Sequence, residues 1–115
     1  MRSDPIEAVG IDETGSLWVK PTTETFPYIY REAMEVHWDE KRRCLFSPKP
    51  RRWSYADWFK QMSDAARAQG VTLTVAQTTK WSNVDADLQQ RITALAAEAG
   101  VAGLGGGGNY TDLPS

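Results

Sequence analysis

The sequence predicts an α+β domain: an antiparallel or mixed sheet of two hairpins and one further strand, with two helices packed on one face. Three observations carry this. Apolar residues alternate with period two on both sides of Gly15 and again from Tyr28 to Phe46. A helical stripe follows the Pro48–Pro50 connector, and a second runs from Leu88 to Ala99 after a short Val/Thr alternation. The 115 residues suit one domain, long enough to bury about two-thirds of its unfolded surface.

Residues 8–20 read as the first hairpin. A three-residue loop, Glu13-Thr14-Gly15, pairs Asp12 with Ser16, Ile11 with Leu17 and Val9 with Val19. All four aliphatics then share a face, and glycine stands at the loop's last position, where a left-handed backbone costs it least.

Residues 28–47 have good helix propensity around Arg31 to Glu35, but the even positions Tyr28, Tyr30, Met34, Val36 and Trp38 alternate with polar ones. This predicts a strand over 28–38, with Glu32 the exception on its apolar face, then a turn at Asp39 to Arg43 and a strand carrying Cys44 and Phe46. Keeping the apolar face continuous pairs Trp38 with Cys44 and turns His37 away from the thiol.

Ser47-Pro48-Lys49-Pro50 reads as a rigid extended connector. Ser54 then caps a helix with Asp57 three residues on, Trp53 staples onto Trp58, and Tyr55, Trp58, Phe59, Met62, Ala65 and Ala66 form its apolar stripe up to a stop at Gly70. Val71, Leu73 and Val75 predict a short strand. The second helix starts at Ser82 or Asp85, buries Leu88, Ile92, Leu95, Ala96 and Ala99, and stops at Gly100. The domain is expected to span 1–102, with 103–115 a mobile glycine-rich tail. The match of Gly103, Gly105 and Gly108 to a dinucleotide fingerprint lacks the preceding strand and following helix that would hold a pyrophosphate.

The composition excludes several function classes. No stretch is long and apolar enough to span a membrane, and Met1-Arg2-Ser3-Asp4-Pro5 lacks the apolar run of a secretory signal, so a cytoplasmic location is expected. One cysteine and one histidine cannot supply a Cys/His metal set, and their opposite parity leaves no activated thiol. No catalytic residue, metal ligand or cofactor is predicted. A net charge of −2 gives no general attraction to nucleic acid.

Charge and aromatics concentrate in one place. Lys41, Arg42, Arg43, Lys49, Arg51 and Arg52 put six cations into twelve residues, with Phe46 and Trp53 interleaved. A phosphate-binding surface can look like this, and so can a solvated turn balanced by Glu35, Asp39 and Glu40. Arginine beside tryptophan is also what a protein interface prefers. The candidate interaction residues are therefore Arg43, Lys49, Arg51, Arg52 and Trp53.

Tyr28-Ile29-Tyr30-Arg31 through Trp38-Asp39, with Phe46-Ser47-Pro48-Lys49-Pro50 and Trp53-Ser54-Tyr55-x-x-Trp58-Phe59, resembles small bacterial proteins of the mobile gene pool. These include integron gene-cassette proteins and proteins like toxin-immunity partners. The resemblance implies a bacterial source and transfers no site residue. The expectation is a non-enzymatic protein-binding module, an immunity-like role among its forms, with an unidentified protein partner, a second copy of the chain among the candidates. The alternatives are a small-molecule or minor enzymatic domain with an aromatic pocket, and a nucleic-acid-associated protein using residues 41–52.

Overall fold

The structure is a computed structural model describing residues 2–105, with side chains up to residue 99. Strands β1 (Arg2–Ile11) and β2 (Leu17–Pro21) are followed by a 3-10 turn (Ile29–Arg31), β3 (His37–Asp39), β4 (Cys44–Phe46), helix α1 (Tyr55–Ala68), β5 (Val71–Thr74), β6 (Lys80–Ser82) and helix α2 (Ala86–Gly105). The six strands form one mixed sheet in the order β3-β4-β2-β1, with the far edge of β1 taken by β5 along residues 2–5 and by β6 along residues 8–10. Both helices pack on the face that carries Val9, Leu17, Val19 and Leu45, where Phe59, Met62, Ile92 and Ala96 close the core. This is the α+β architecture that the alternating and helical patterns predict.

The first hairpin has the expected register, Val9 opposite Val19 and Ile11 opposite Leu17, and Gly15 adopts φ +87°. Asp12 closes the turn by accepting from the Thr14 hydroxyl (2.6 Å), the Thr14 amide and the Ser16 amide. Helix α1 is also as predicted. Ser54 Oγ accepts from the Asp57 amide while Asp57 accepts from the Ser54 amide, and the Trp53 and Trp58 rings meet at 4.9 Å. Gly70 turns the chain at φ +91°. At α2, Asp85 rather than Ser82 is the cap, accepting from the Leu88 amide at 2.8 Å.

Four expectations are corrected. Residues 28–36 are not a strand: after the 3-10 turn, Ala33–Val36 form a tight turn with Glu35 at φ +65°. Phe26, Ile29, Ala33 and Val36 recur every three or four residues and fill the core instead of the even positions. The second hairpin is one residue out of the expected register, with Trp38 opposite Leu45 and Asp39 opposite Cys44. Arg43, left-handed at φ +55°, closes that turn in four residues, and Asp39 caps it by accepting from the Lys41 and Arg42 amides. Lys80–Ser82 form a strand where a polar stretch is expected. Helix α2 runs on past Gly100 to Gly105, and the remainder of the expected tail lies outside the described residues.

The registers align two rows across five strands, since directly opposed residues share a face. Trp38, Leu45, Val19, Val9 and Trp81 line the helix side; His37, Phe46, Trp18, Gly10 and Ser82 line the other. In the outer row the Trp18 indole lies against Gly10, so that a Cβ at residue 10 would come within 2.3–2.7 Å of three of its ring atoms.

Two stability predictions follow from these contacts. Ser54→Ala removes the acceptor for an orphan N–H at the start of α1 and should cost about 1 kcal/mol in urea unfolding. Gly10→Ala should cost about 1–3 kcal/mol through overpacking, and most of that should vanish when Trp18 is also replaced by alanine. An equal cost in the two backgrounds would show that the indole is not what constrains residue 10.

Candidate functional site

The chain leaves β4 with the Ser47 amide bonded to the Leu17 carbonyl, and two prolines keep the next residues extended on the outside of the domain. The Tyr55 hydroxyl donates to the Gly15 carbonyl at 2.9 Å, which ties the start of α1 to the first hairpin turn. The connector is thereby stretched between β4 and α1, and Lys49, Arg51, Arg52 and Trp53 project from it. Opposite stands the Ala33–Val36 turn. Its left-handed residue carries Met34 and Glu35 over the first half of α1, and Glu32 accepts from Gln69 at 2.6 Å near the helix end.

Between the two walls lies a cleft of about 620 Å³, lined by Met34, Glu35, Pro48, Lys49, Arg51, Arg52, Trp53, Trp58 and Gln61. Four of the five residues singled out from the sequence meet here. The fifth, Arg43, does not: it sits in the β3–β4 turn and pairs with Glu40 at 3.5 Å. Arg42 is drawn away as well, 3.9 Å from Asp12 and over the Trp18 ring. Asp12 is held ionised, its carboxyl lowered chiefly by the Thr14 hydroxyl and further by the Ser16 and Thr14 amides and by Arg42. The run of six cations is therefore split, its first part partly neutralised in the hairpin turn and its second part gathered in the cleft.

Among the described residues, Lys49, Arg51 and Arg52 make no ion pair and no hydrogen bond. Glu35 shares the cleft with them, yet no cation lies within 4.0 Å of its carboxylate. Trp58, 8% exposed, stands in the wall, and its Nε1–H is a buried donor with no acceptor. A second groove of about 680 Å³, between the β5–β6 connection and α2, contains Trp81, Gln89 and Gln90 but no charged side chain. A smaller groove of about 230 Å³ between the helices carries Lys60, Asp64, Arg67 and Glu98 beside Leu95, but there Asp64 pairs with both Lys60 and Arg67. The first cleft combines exposed apolar side chains with cations that have no ion pair.

Met34, Glu35 and Gln61 are the site residues that sequence reasoning misses. Met34 is legible as an apolar residue, but the even-position alternation puts it on a strand face, and nothing in the local sequence marks Glu35 as left-handed. His37 and Cys44 share a sheet face in the observed register, contrary to expectation, but the thiol is buried while the imidazole is exposed and rests on Phe46 at 5.4 Å. Burial pushes the Cys44 thiol up, Arg42 opposing and Asp39 adding to the effect, so it is held neutral. Among the described residues no group of three or more His, Cys, Asp or Glu could hold a metal ion. No helix is long and apolar enough to cross a membrane.

Comparison with known proteins places the chain in a family. The model of Integron Cassette Protein Hfx_Cass5 matches residues 4–79, a span that contains every cleft residue. The solved structure of Integron Cassette Protein Hfx_Cass5, from the mobile metagenome of North West Arm Sewage Outfall, is 48% identical and covers 84% of this chain and 98% of its own, with a TM-score of 0.43. No curated protein matches. Because the family model spans well over half of its length, the chain belongs to the Hfx_Cass5 family of integron cassette proteins.

Proposed function

We propose that the protein is a non-enzymatic binding module that holds a protein partner at the cleft between the 48–53 connector and the Ala33–Val36 turn. The observation that supports this most is an uncovered cluster of the residue types that interface cores favour, namely aromatics, Met and Arg. Met34 is 80% exposed and Trp53 46%, with Arg51 and Arg52 in the same cleft. Tyr28 and Tyr30, both more than half exposed, continue the segment that carries Met34. Exposed apolar side chains gathered in one place, rather than scattered singly, are what marks interaction sites on protein surfaces. The burial of Cys44 outside the cleft supports binding over nucleophilic chemistry there.

An immunity-type role, in which the partner is masked, is one form of this reading, and a second copy of the chain is one candidate partner. The unpaired thiol agrees with a cytoplasmic setting. A small-molecule ligand is the second reading, favoured by a cleft volume within the range of such sites. Nucleic acid is disfavoured by the splitting of the basic run.

The test uses the full chain as bait for proteins of its bacterial host, with size-exclusion chromatography reporting self-association. Trp53→Ala should weaken a retained partner by at least about tenfold, as a buried anchor does. Lys80→Ala, on β6 away from the cleft, should leave retention unchanged. Similar losses at every basic residue, with steep weakening on added salt, would instead identify phosphate contacts and sink the proposal.

A further inference from the structure

We infer that the partner enters this cleft with an acidic segment, its carboxylates meeting Lys49, Arg51 and Arg52 while a neighbouring apolar side chain packs on Trp53 and Met34. The inference rests on the reading of the cleft as a protein-binding face and names what that face selects.

Charge complementarity is the first ground. The chain as a whole carries net charge −2, yet the cleft gathers three cations against one carboxylate. Elsewhere Arg2, Lys20, Arg42, Arg43, Lys60 and Arg67 are each matched by a carboxylate, and the cations that are not, Arg31, Lys41, Lys80 and Arg91, do not line the cleft. In the cleft the cations have no partner from the protein itself, so an anion entering there displaces only water. Two of the three are arginines, whose planar forks suit bidentate contact with a carboxylate.

Trp58 is the second, independent ground. It is more than nine-tenths buried in the wall of the same cleft, and its Nε1–H lacks an acceptor. A buried donor without a partner costs free energy that an incoming acceptor would recover. Lys, by contrast, would bring only further donors. Basic side chains are therefore selected against at Trp58, and the three cations separate acidic segments from neutral ones.

The choice of peptide over nucleic acid follows from shape and from Glu35. A strand of nucleic acid needs a basic track that follows its backbone, with bases stacked in succession. Of the hairpin cations that could extend the track, Arg42 and Arg43 are occupied by Asp12 and Glu40, and a carboxylate stands within the cleft. A short acidic peptide needs only the three cations and one apolar contact.

The experiment is fluorescence anisotropy on the full chain with three labelled probes: a peptide alternating glutamate with leucine, the same peptide with glutamine for glutamate, and oligothymidylate. The acidic peptide should saturate the protein and the glutamine peptide should not. Arg51→Ala and Arg52→Ala should each weaken binding about fivefold, and Glu35→Gln should strengthen it about threefold by removing an internal competitor. All three side chains are exposed, so these variants should keep the parent melting temperature. Equal binding of the two peptides would overturn the acidic selectivity and leave a protein-binding cleft in place. Failure of the acidic peptide to saturate, with a host protein still retained through Trp53, would also overturn this inference alone. Tighter, steeply salt-dependent binding of oligothymidylate would overturn both.

Discussion

Strand β1 must satisfy the backbone donors and acceptors on both of its edges, and the other elements take their places from how it does so. Its ten residues exceed the length of any other strand, so one neighbour per edge is not enough. β2 covers one edge in antiparallel register, with an irregularity between Ile6 and Ala8 that re-aims the strand midway. β5 and β6 share the other, and both run parallel to β1. A parallel neighbour cannot be reached by a tight turn, so the chain must cross the sheet before it arrives. Helix α1 is that crossing, anchored at one end by Tyr55 on Gly15 and at the other by the Arg2 amide on the Gly70 carbonyl. The connector that feeds α1 consequently spans the outside of the domain, which is why its cations and Trp53 face solvent.

The opposite wall of the cleft depends on one buried carboxylate. Asp4 is 1% exposed and accepts from the Thr23 amide, the Thr23 hydroxyl and the Glu24 amide. A carboxylate taken out of water needs such donors, and here they come from the segment that leaves β2. That segment has little regular structure up to β3, yet it sends Phe26, Ile29, Ala33 and Val36 into the core. With those four inward, Tyr28, Tyr30 and Met34 are left outward. The exposed apolar residues of the proposed interface are the other side of the residues that seat this segment.

Elements whose cause is local were legible in the sequence. The Gly15 turn, the Ser54 capping box and the Gly70 stop each depend on a few adjacent residues, and the structure reproduces them. The misreadings have non-local or conformational causes. The outer half of β1, Arg2 to Glu7, shows no strand pattern because its partner is β5, some seventy positions away, and Asp4 has a capping role that alternation cannot reveal. Over 28–36 two periods compete, the even positions and the 26-29-33-36 spacing, and the core accepted the second. The second hairpin slipped by one residue because Arg43 takes a left-handed backbone that its side chain does not announce. The site shows the same division: Lys49, Arg51, Arg52 and Trp53 lie within five residues and are legible as a cluster in the sequence, whereas Met34, Glu35 and Gln61 reach the cleft from elsewhere in the chain.

Unpaired cations on an exposed connector would not by themselves indicate a site, because a solvated lysine or arginine costs a domain almost nothing and an exposed ion pair gains it little. The cleft differs in combining features that are individually affordable but point the same way. Met34 and Trp53 keep apolar surface in water beside those cations, although folding could have covered it at a gain of about 25 cal/mol for each Å². Glu35 holds a backbone conformation that glycine would adopt more easily, and in doing so closes the turn that brings Met34 opposite Arg51 and Arg52. Trp58 withdraws an N–H from water without supplying an acceptor. Each is a small local loss, and their shared location follows if the missing contacts are completed by another molecule rather than by the domain itself.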